Sequence, residues 1–335
     1  MNENGAPPNV PPAISSLAAA PDPVAQGADL TLTANGVTDS DGNVVYVEFY
    51  RDSNASGVLE VGSDQLLGTD TSISGGWTWT GSTAGFALGA NQYFARVQDD
   101  DSDWSNTVTT TAMVDPPPPQ VTEVLIGSTA WSRPFLDQFE PVGAGGTRGY
   151  AFATGSAAQL DAVPWINADQ VIIRFNEQVN IDQSDLVLIG VNVPTFAFSG
   201  FQTETGPTGQ FQAVWTISAP LNIDKLLIKL DGTTPTAVTD LAGNKLNGEW
   251  TDTTSTFPSG DGSAGGNFNF EFRSLPGDID NSDTVDAVDE AQVDATFISV
   301  AFPGFGAYSV FNDLNGDAFI VSNDVLFTRA RNGDT

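Results

Sequence analysis

Two 12-residue segments hold the densest oxygen chemistry in this chain: DIDNSDTVDAVD from Asp278 and DLNGDAFIVSND from Asp313. A hard cation such as calcium takes about six to eight oxygens at once. A twelve-residue loop supplies them from positions 1, 3, 5, 7 and 12, position 7 through its backbone carbonyl. The first segment offers Asp278, Asp280, Ser282, the Thr284 carbonyl, Asp286 at position 9 (through water) and Asp289. The second offers Asp313, Asn315, Asp317, the Phe319 carbonyl and Asp324. Val285 and Ile320 occupy position 8, where the two loops are expected to pair with each other as a short β-bridge. Position 6, where the backbone turns sharply, holds Asp283 and Ala318, which reach a positive φ only at some energetic cost. Metal-free Asp-rich turns capping two helices would explain either segment alone, because Asp is a good N-cap. Two matching patterns make that coincidence improbable.

Composition points the same way. The chain has 42 acidic and 11 basic residues, a formal net charge of -31. Phosphate contacts need Lys and Arg patches, so nucleic acid is excluded as a partner, and an anionic membrane surface would repel the chain. Of the acids, 32 are Asp and 10 are Glu, a bias toward the shorter side chain that suits turns and oxygen coordination. Solubility alone is the plainer account of the excess. Cys and His are absent, which removes disulfides, thiol nucleophiles, Ser-His triads and the usual zinc sites. No apolar run approaches the roughly 18 residues of a membrane span. The opening MNENGAPPNVPP shows no signal peptide, so an extracellular or cell-surface location rests on the domain types. Calcium is the one cofactor expected.

The elements that must position these residues are mostly strands. Hydrophobic content of 40% suffices for packed cores. Residues 1–23 read as an extended Pro-rich segment, and NVPPAISSLAAAP within it as either the first strand of its own sandwich or a strand lent to a neighbour. Residues 24–115 read as one immunoglobulin-like sandwich, with seven short strands expected from Ala28 to Val114, among them LTLTA, VVYVEFY, LLGTD, GGWTWTG, NQYFARVQ and NTVTTTAMV. Alternation places Val45, Val47 and Phe49 on one face. Residues 116–120 read as a polyproline linker. Over 121–275 strands are expected near VTEVLIG, QVIIRFN, DLVLIGV, TFAFSGF, QAVWTIS, DKLLIKL and NFNFEF. Residues 276–335 carry the acidic loops, each leading into a short helix, AVDEAQVDATFISV and SNDVLFTRA.

Evenly spaced short strands suggest immunoglobulin-like sandwiches. In that topology DSDGN (Asp39, Asp41, Asn43) and DDDSD (Asp99, Asp100, Asp101, Asp103) are neighbouring loops and a second candidate calcium site, the alternative being a solvated acidic rim. The TDLAGN turn (Asp240, Asn244) near Glu249 reads as an Asx-turn. Trp77 and Trp79 share a strand face and read as core in preference to a sugar platform.

Several stretches resemble known families. VTDSDGNVVYVEFYRD, LLGTDTS, GWTWT and YFARVQDDDSDWSN together resemble bacterial immunoglobulin-like domains found beside secreted enzymes and adhesins. VIIRFNEQVNIDQSDLVLIG with TAVTDLAGNKLNGEW resembles immunoglobulin-like repeats of bacterial surface-layer proteins, although VLIGSTAWSRPFLDQF has no counterpart there. The two acidic loops followed by helices, ending in Asp where intracellular EF-hands have Glu, resemble a type I dockerin. The whole is similar to planctomycete-type secreted proteins in which such a domain precedes a dockerin. These resemblances imply a mainly β chain: two immunoglobulin-like β-sandwich domains plus a small α-helical dockerin-like (EF-hand loop-helix) C-terminal module. They imply two calcium ions and a cohesin-like β-sandwich as partner, or other copies of the chain. Glu48, Glu123, Glu177 and Glu249 are scattered, so no carboxylate pair for glycoside hydrolysis can be argued. The favoured reading is a non-catalytic structural subunit of a surface fibre or matrix. A docked module that binds polysaccharide, and a glycoside hydrolase with appended modules, are the alternatives.

Overall fold

Alternation of apolar and polar residues builds both sandwiches. The computed structural model describes residues 8–140, 145–301 and 308–335, in two units, Met1–Pro117 and Pro118–Thr335. The expected extended segment therefore lies partly outside the described residues, as do 302–307 of the stretch joining the acidic loops.

Among the described residues the first unit has eight strands: β1 (Ser16–Ala20), β2 (Val24–Ala25), β3 (Asp29–Asn35), β4 (Val44–Arg51), β5 (Gln65–Asp70), β6 (Trp77–Ser82), β7 (Gly89–Asp99) and β8 (Val108–Asp115). They form sheets of order β1-β3-β6 and β2-β8-β7-β4-β5. Leu30, Leu32 and Ala34 of β3 face Val47, Phe49, Tyr93, Val97 and Val114 of the other sheet, all buried. Of the two readings of NVPPAISSLAAAP, residues 16–20 follow the first: they are β1, pairing antiparallel with β3 from Ser16↔Asn35 to Ala20↔Thr31. Leu17 is buried, which anchors this strand in its own domain. One expectation needs correction. Val45 does not share the inner face of Val47 and Phe49. The β4–β7 register shifts between Val44 and Tyr46, so Val45 is the bulged residue and points to solvent while Val44 packs on the core.

The second unit begins with β9 (Val121–Gly127), a short helix α1 (Arg133–Leu136), β10 (Tyr150–Ala151) and β11 (Ala162–Val163). It continues through β12 (Gln170–Phe175), β13 (Val179–Asn180), β14 (Leu186–Gly190), β15 (Phe198–Thr205) and β16 (Phe211–Ile217). Then come β17 (Asp224–Leu230), β18 (Thr239–Asp240) and β19 (Phe268–Ser274). The sheets have order β10-β9-β12-β16-β15 and β11-β19-β17-β14. Between them pack Val124, Val171, Trp215, Ile228, Phe268 and Phe270, all fully buried. Strand β12 is buried on both faces. On its outer face the buried Arg174 pairs with Glu123 and Glu140, each at 2.7 Å.

After β19 the chain forms α2 (Ala287–Ala295), β20 (Ser299–Val300), β21 (Phe319–Ile320) and α3 (Ser322–Ala330). Ile279, Val293, Leu314, Ile320 and Val325 make its small core. The stretch left without a family counterpart, VLIGSTAWSRPFLDQF, forms the platform on which this segment sits. Ser132 caps α1 through its hydroxyl, and Trp131, Phe135, Phe139 and Trp165 pack edge to face. Phe311 stacks on Trp165 at 5.3 Å, and Trp165 Nε1 donates to the Val310 carbonyl.

Candidate metal centre

The two acidic loops are copies of one geometry, 35 residues apart (313 − 278). Both have positive φ at positions 4 and 6: Asn281 at 55° and Asp283 at 67°, Gly316 at 71° and Ala318 at 79°. This backbone curls the chain around the position 1 carboxylate. Asp278 accepts from the Ser282 and Asp283 amides at 3.0 and 3.2 Å. Asp313 accepts from Gly316, Asp317 and Ala318 at 2.9, 3.2 and 2.8 Å. Position 12 closes each loop. Asp289 accepts from Ile279 at 2.7 Å and Asp286 at 2.8 Å, and Asp324 accepts from Leu314 and Val321, both at 3.0 Å.

Positions 1 and 12 of both loops, Asp278, Asp289, Asp313 and Asp324, are 0% exposed. Among the described residues, no Lys or Arg forms an ion pair with any of them. Burial pushes the Asp278 carboxyl up to about 6 and Asp313 up to about 7, and it raises Asp324 as well. Neighbouring acids add to each shift. Tyr308 donates its hydroxyl to Asp313 at 2.7 Å, a support without a counterpart at Asp278 among the described residues. Asp278, Asp280 and Asp289 are the one acidic trio among the described residues in which one oxygen from each lies within 4.8 Å of the other two.

The remaining expected ligands stand around these. Ser282 Oγ donates to the Thr284 carbonyl at 3.0 Å, so positions 5 and 7 of the first loop touch. Asp280 takes the Ser282 amide, while Asn315 and Asp317 bond each other at 3.0 Å. Phe319 contributes to β21 and its amide bonds Asp317. Asp286 caps α2 through Val288 N, which leaves only its second oxygen for a water-mediated role.

The two position 8 residues do not pair with each other, a correction to the sequence reading. Val285 exchanges bonds with Gly333 and Asp334, and Ile320 pairs with Ser299 and accepts from Ile298. Because 298 + 35 = 333, each repeat's position 8 is bonded by the segment leaving the other repeat's helix. The geometric reason is that each loop lies beside the far end of the other helix. Ile298 is held at φ 59° and Gly333 at 97°. A β-branched side chain is strained there, and Ile298 is 78% exposed. Ile298→Gly is therefore expected to stabilise this segment by about 1 kcal/mol, read as a higher urea midpoint at unchanged slope.

In the first unit the DSDGN and DDDSD loops do meet. The Asn43 side chain and amide donate to Asp100 at 3.1 and 3.0 Å. Asn9 bridges Asp99 and Asp103 at 3.0 and 2.9 Å, and Asp41 accepts from Val10 and touches Asp39 through its own amide. Asp99 is buried and takes the amides of Asp101 and Asp103, whereas Asp101 is exposed. Amide donors satisfy most of these carboxylate oxygens, but Asp39 Oδ2 is buried without a hydrogen-bond partner among the described residues. Asp240 is also held by amides, accepting from Ala242 and Asn244 in an Asx-turn. Trp77 is buried and Trp79 packs beside it, over Gly68 and Gly81 where any Cβ would overlap the indole.

No family model matches the chain, and neither does any curated protein. Among solved structures, fibronectin(III)-like modules of Clostridium thermocellum CbhA are 12% identical, covering 78% of this chain and 94% of theirs at a TM-score of 0.23. Carbohydrate-binding modules of the β-sandwich superfamily, described for promiscuous specificity, are 14% identical, covering 82% and 89% at 0.25. Fold and site together define a mainly β chain of two sandwich units, the second closed by paired acidic loop-helix repeats.

Proposed function

We propose that this chain is a non-catalytic structural subunit of an extracellular assembly, with residues 276–335 acting as a dockerin-like module stabilised by two calcium ions. The observation that carries the reading is the repeated burial, without any cationic side chain, of the carboxylates at positions 1 and 12. Ionised carboxylates removed from water are costly unless something positive compensates them. The donor set is all oxygen, which suits calcium and not zinc or copper. Asp278, Asp280, Ser282, the Thr284 carbonyl and Asp289 would hold one ion; Asp313, Asn315, Asp317, the Phe319 carbonyl and Asp324 would hold the other. Calcium outside cells is abundant enough for the weak loops of extracellular modules, which fits a surface location. Partners on this reading are other copies or a cohesin-like sandwich. The polysaccharide alternative is the weaker reading, because Trp77 is buried and the half-buried Trp79 packs against the core.

Titration of the full chain with calcium chloride in a calorimeter should give two ions per chain, and one after Asp313→Ala. Uptake of no ion by the wild type would remove the module's role.

A further inference from the structure

The outer face of the β11-β19-β17-β14 sheet is chemically unlike the rest of the chain. Strand β17 sends Lys225, Leu227 and Lys229 outward. Across the sheet lie Arg273, Glu271 and Asn269 of β19, with Ile189 and Val187 of β14 on the other side. Val187 and Val191 are exposed. Arg273 pairs with Asp283, but among the described residues neither Lys225 nor Lys229 has an ion pair. In a chain with 42 acids and 11 bases, two such lysines on one sheet face, interleaved with Leu227, Ile189 and Val187, call for an external partner. A cavity of about 510 Å³ opens on this face between Leu160, Ile189, Leu227 and Asp283. A second hollow of about 230 Å³, which shares Val191, Lys225 and Arg273 with it, lies beside Thr335.

We infer that this face docks the acidic end of the first sandwich of another copy. The proposal rests on the reading of the chain as an assembly subunit. The complement is Asp41, Asp100, Asp101 and Asp103, exposed together where the two loops are tied by Asn43 and Asn9. Opposite charges would steer the encounter and reject the wrong register. Burial of Val187, Val191 and Leu227 would supply the non-directional part of the affinity. The two patches differ, so the contact is heterologous and propagates from copy to copy unless rotation closes a ring.

Sedimentation velocity of the full chain in calcium, over a concentration series at low and high salt, tests this. The wild type should self-associate, less so at high salt. Lys225→Glu with Lys229→Glu should weaken association at least about tenfold, as should Asp101→Lys with Asp103→Lys. An equimolar mixture of the two variants should regain it. A monomeric wild type, a lysine variant that associates unchanged, or a mixture that stays apart would each overturn the proposal. So would a monomer that binds polygalacturonate through these lysines, which would make the face an anionic-glycan site. Thermal melts of the variants separate misfolding from lost docking. Calcium stoichiometry measured on the same samples shows whether a failure belongs to this contact or to the calcium reading.

Discussion

Removing calcium is expected to lower the melting temperature of the second unit by on the order of 10 °C, while the first unit's transition stays in place. A ligand at a hundred times its Kd adds about 2.7 kcal/mol to the state that binds it, so two filled loops contribute roughly 5 kcal/mol. For a unit of this size each kcal/mol moves the melting point by about 2–4 °C. Without the ions, Asp278, Asp289, Asp313 and Asp324 remain buried with backbone amides as their main compensation. Differential scanning calorimetry in calcium and in excess EDTA checks this. Equal curves for the second unit would defeat the calcium reading, and a shift in the first unit would assign an ion to the Asp39–Asp103 rim after all.

Trp165→Ala should cost about 3–5 kcal/mol, again roughly 10 °C in the second unit. Its indole is fully buried against Trp131, Phe139 and Tyr150. It stacks on Phe311 and hands its N–H to Val310. The truncation leaves both a void and an unsatisfied carbonyl. Because Val310 and Phe311 lie just before Asp313, on the calcium reading the affinity of the second loop should fall more than that of the first. A variant that melts within about 1 kcal/mol of the wild type would show that the platform does not brace the loop. Trp131 works on the same loop from outside: Ser132 N donates to the Gly316 carbonyl at 2.8 Å, and a Cβ on Gly316 would overlap the Trp131 ring. Second sandwich and acidic repeats should therefore unfold together.

Local patterns were legible and distant pairings were not. All seven stretches expected as strands between 121 and 275 fall on β9, β12, β14, β15, β16, β17 and β19, because period-two alternation is a property of neighbours. The spacing of Asp278 to Asp289 and of Asp313 to Asp324 was equally plain, as were the strained sixth positions. What the residues could not disclose depends on sequence-remote partners. Val285 meets Gly333, not Ile320, and STAWSRPF has its explanation in residues 308–316. Two-residue strands such as β10, β13 and β18 carry too few side chains to announce themselves. The bulge at Val45 needs the register of β7 to be seen.

The crossed bonding of the repeats also constrains the order of events during synthesis. Val285 is fastened by residues 333 and 334, so the earlier loop cannot be locked until the later helix has been made and has turned back. A nascent chain that has emerged only as far as α2 holds a complete sandwich sequence but an open ring of carboxylates. On the calcium reading proposed above, cation capture by the first repeat would wait on translation of the second.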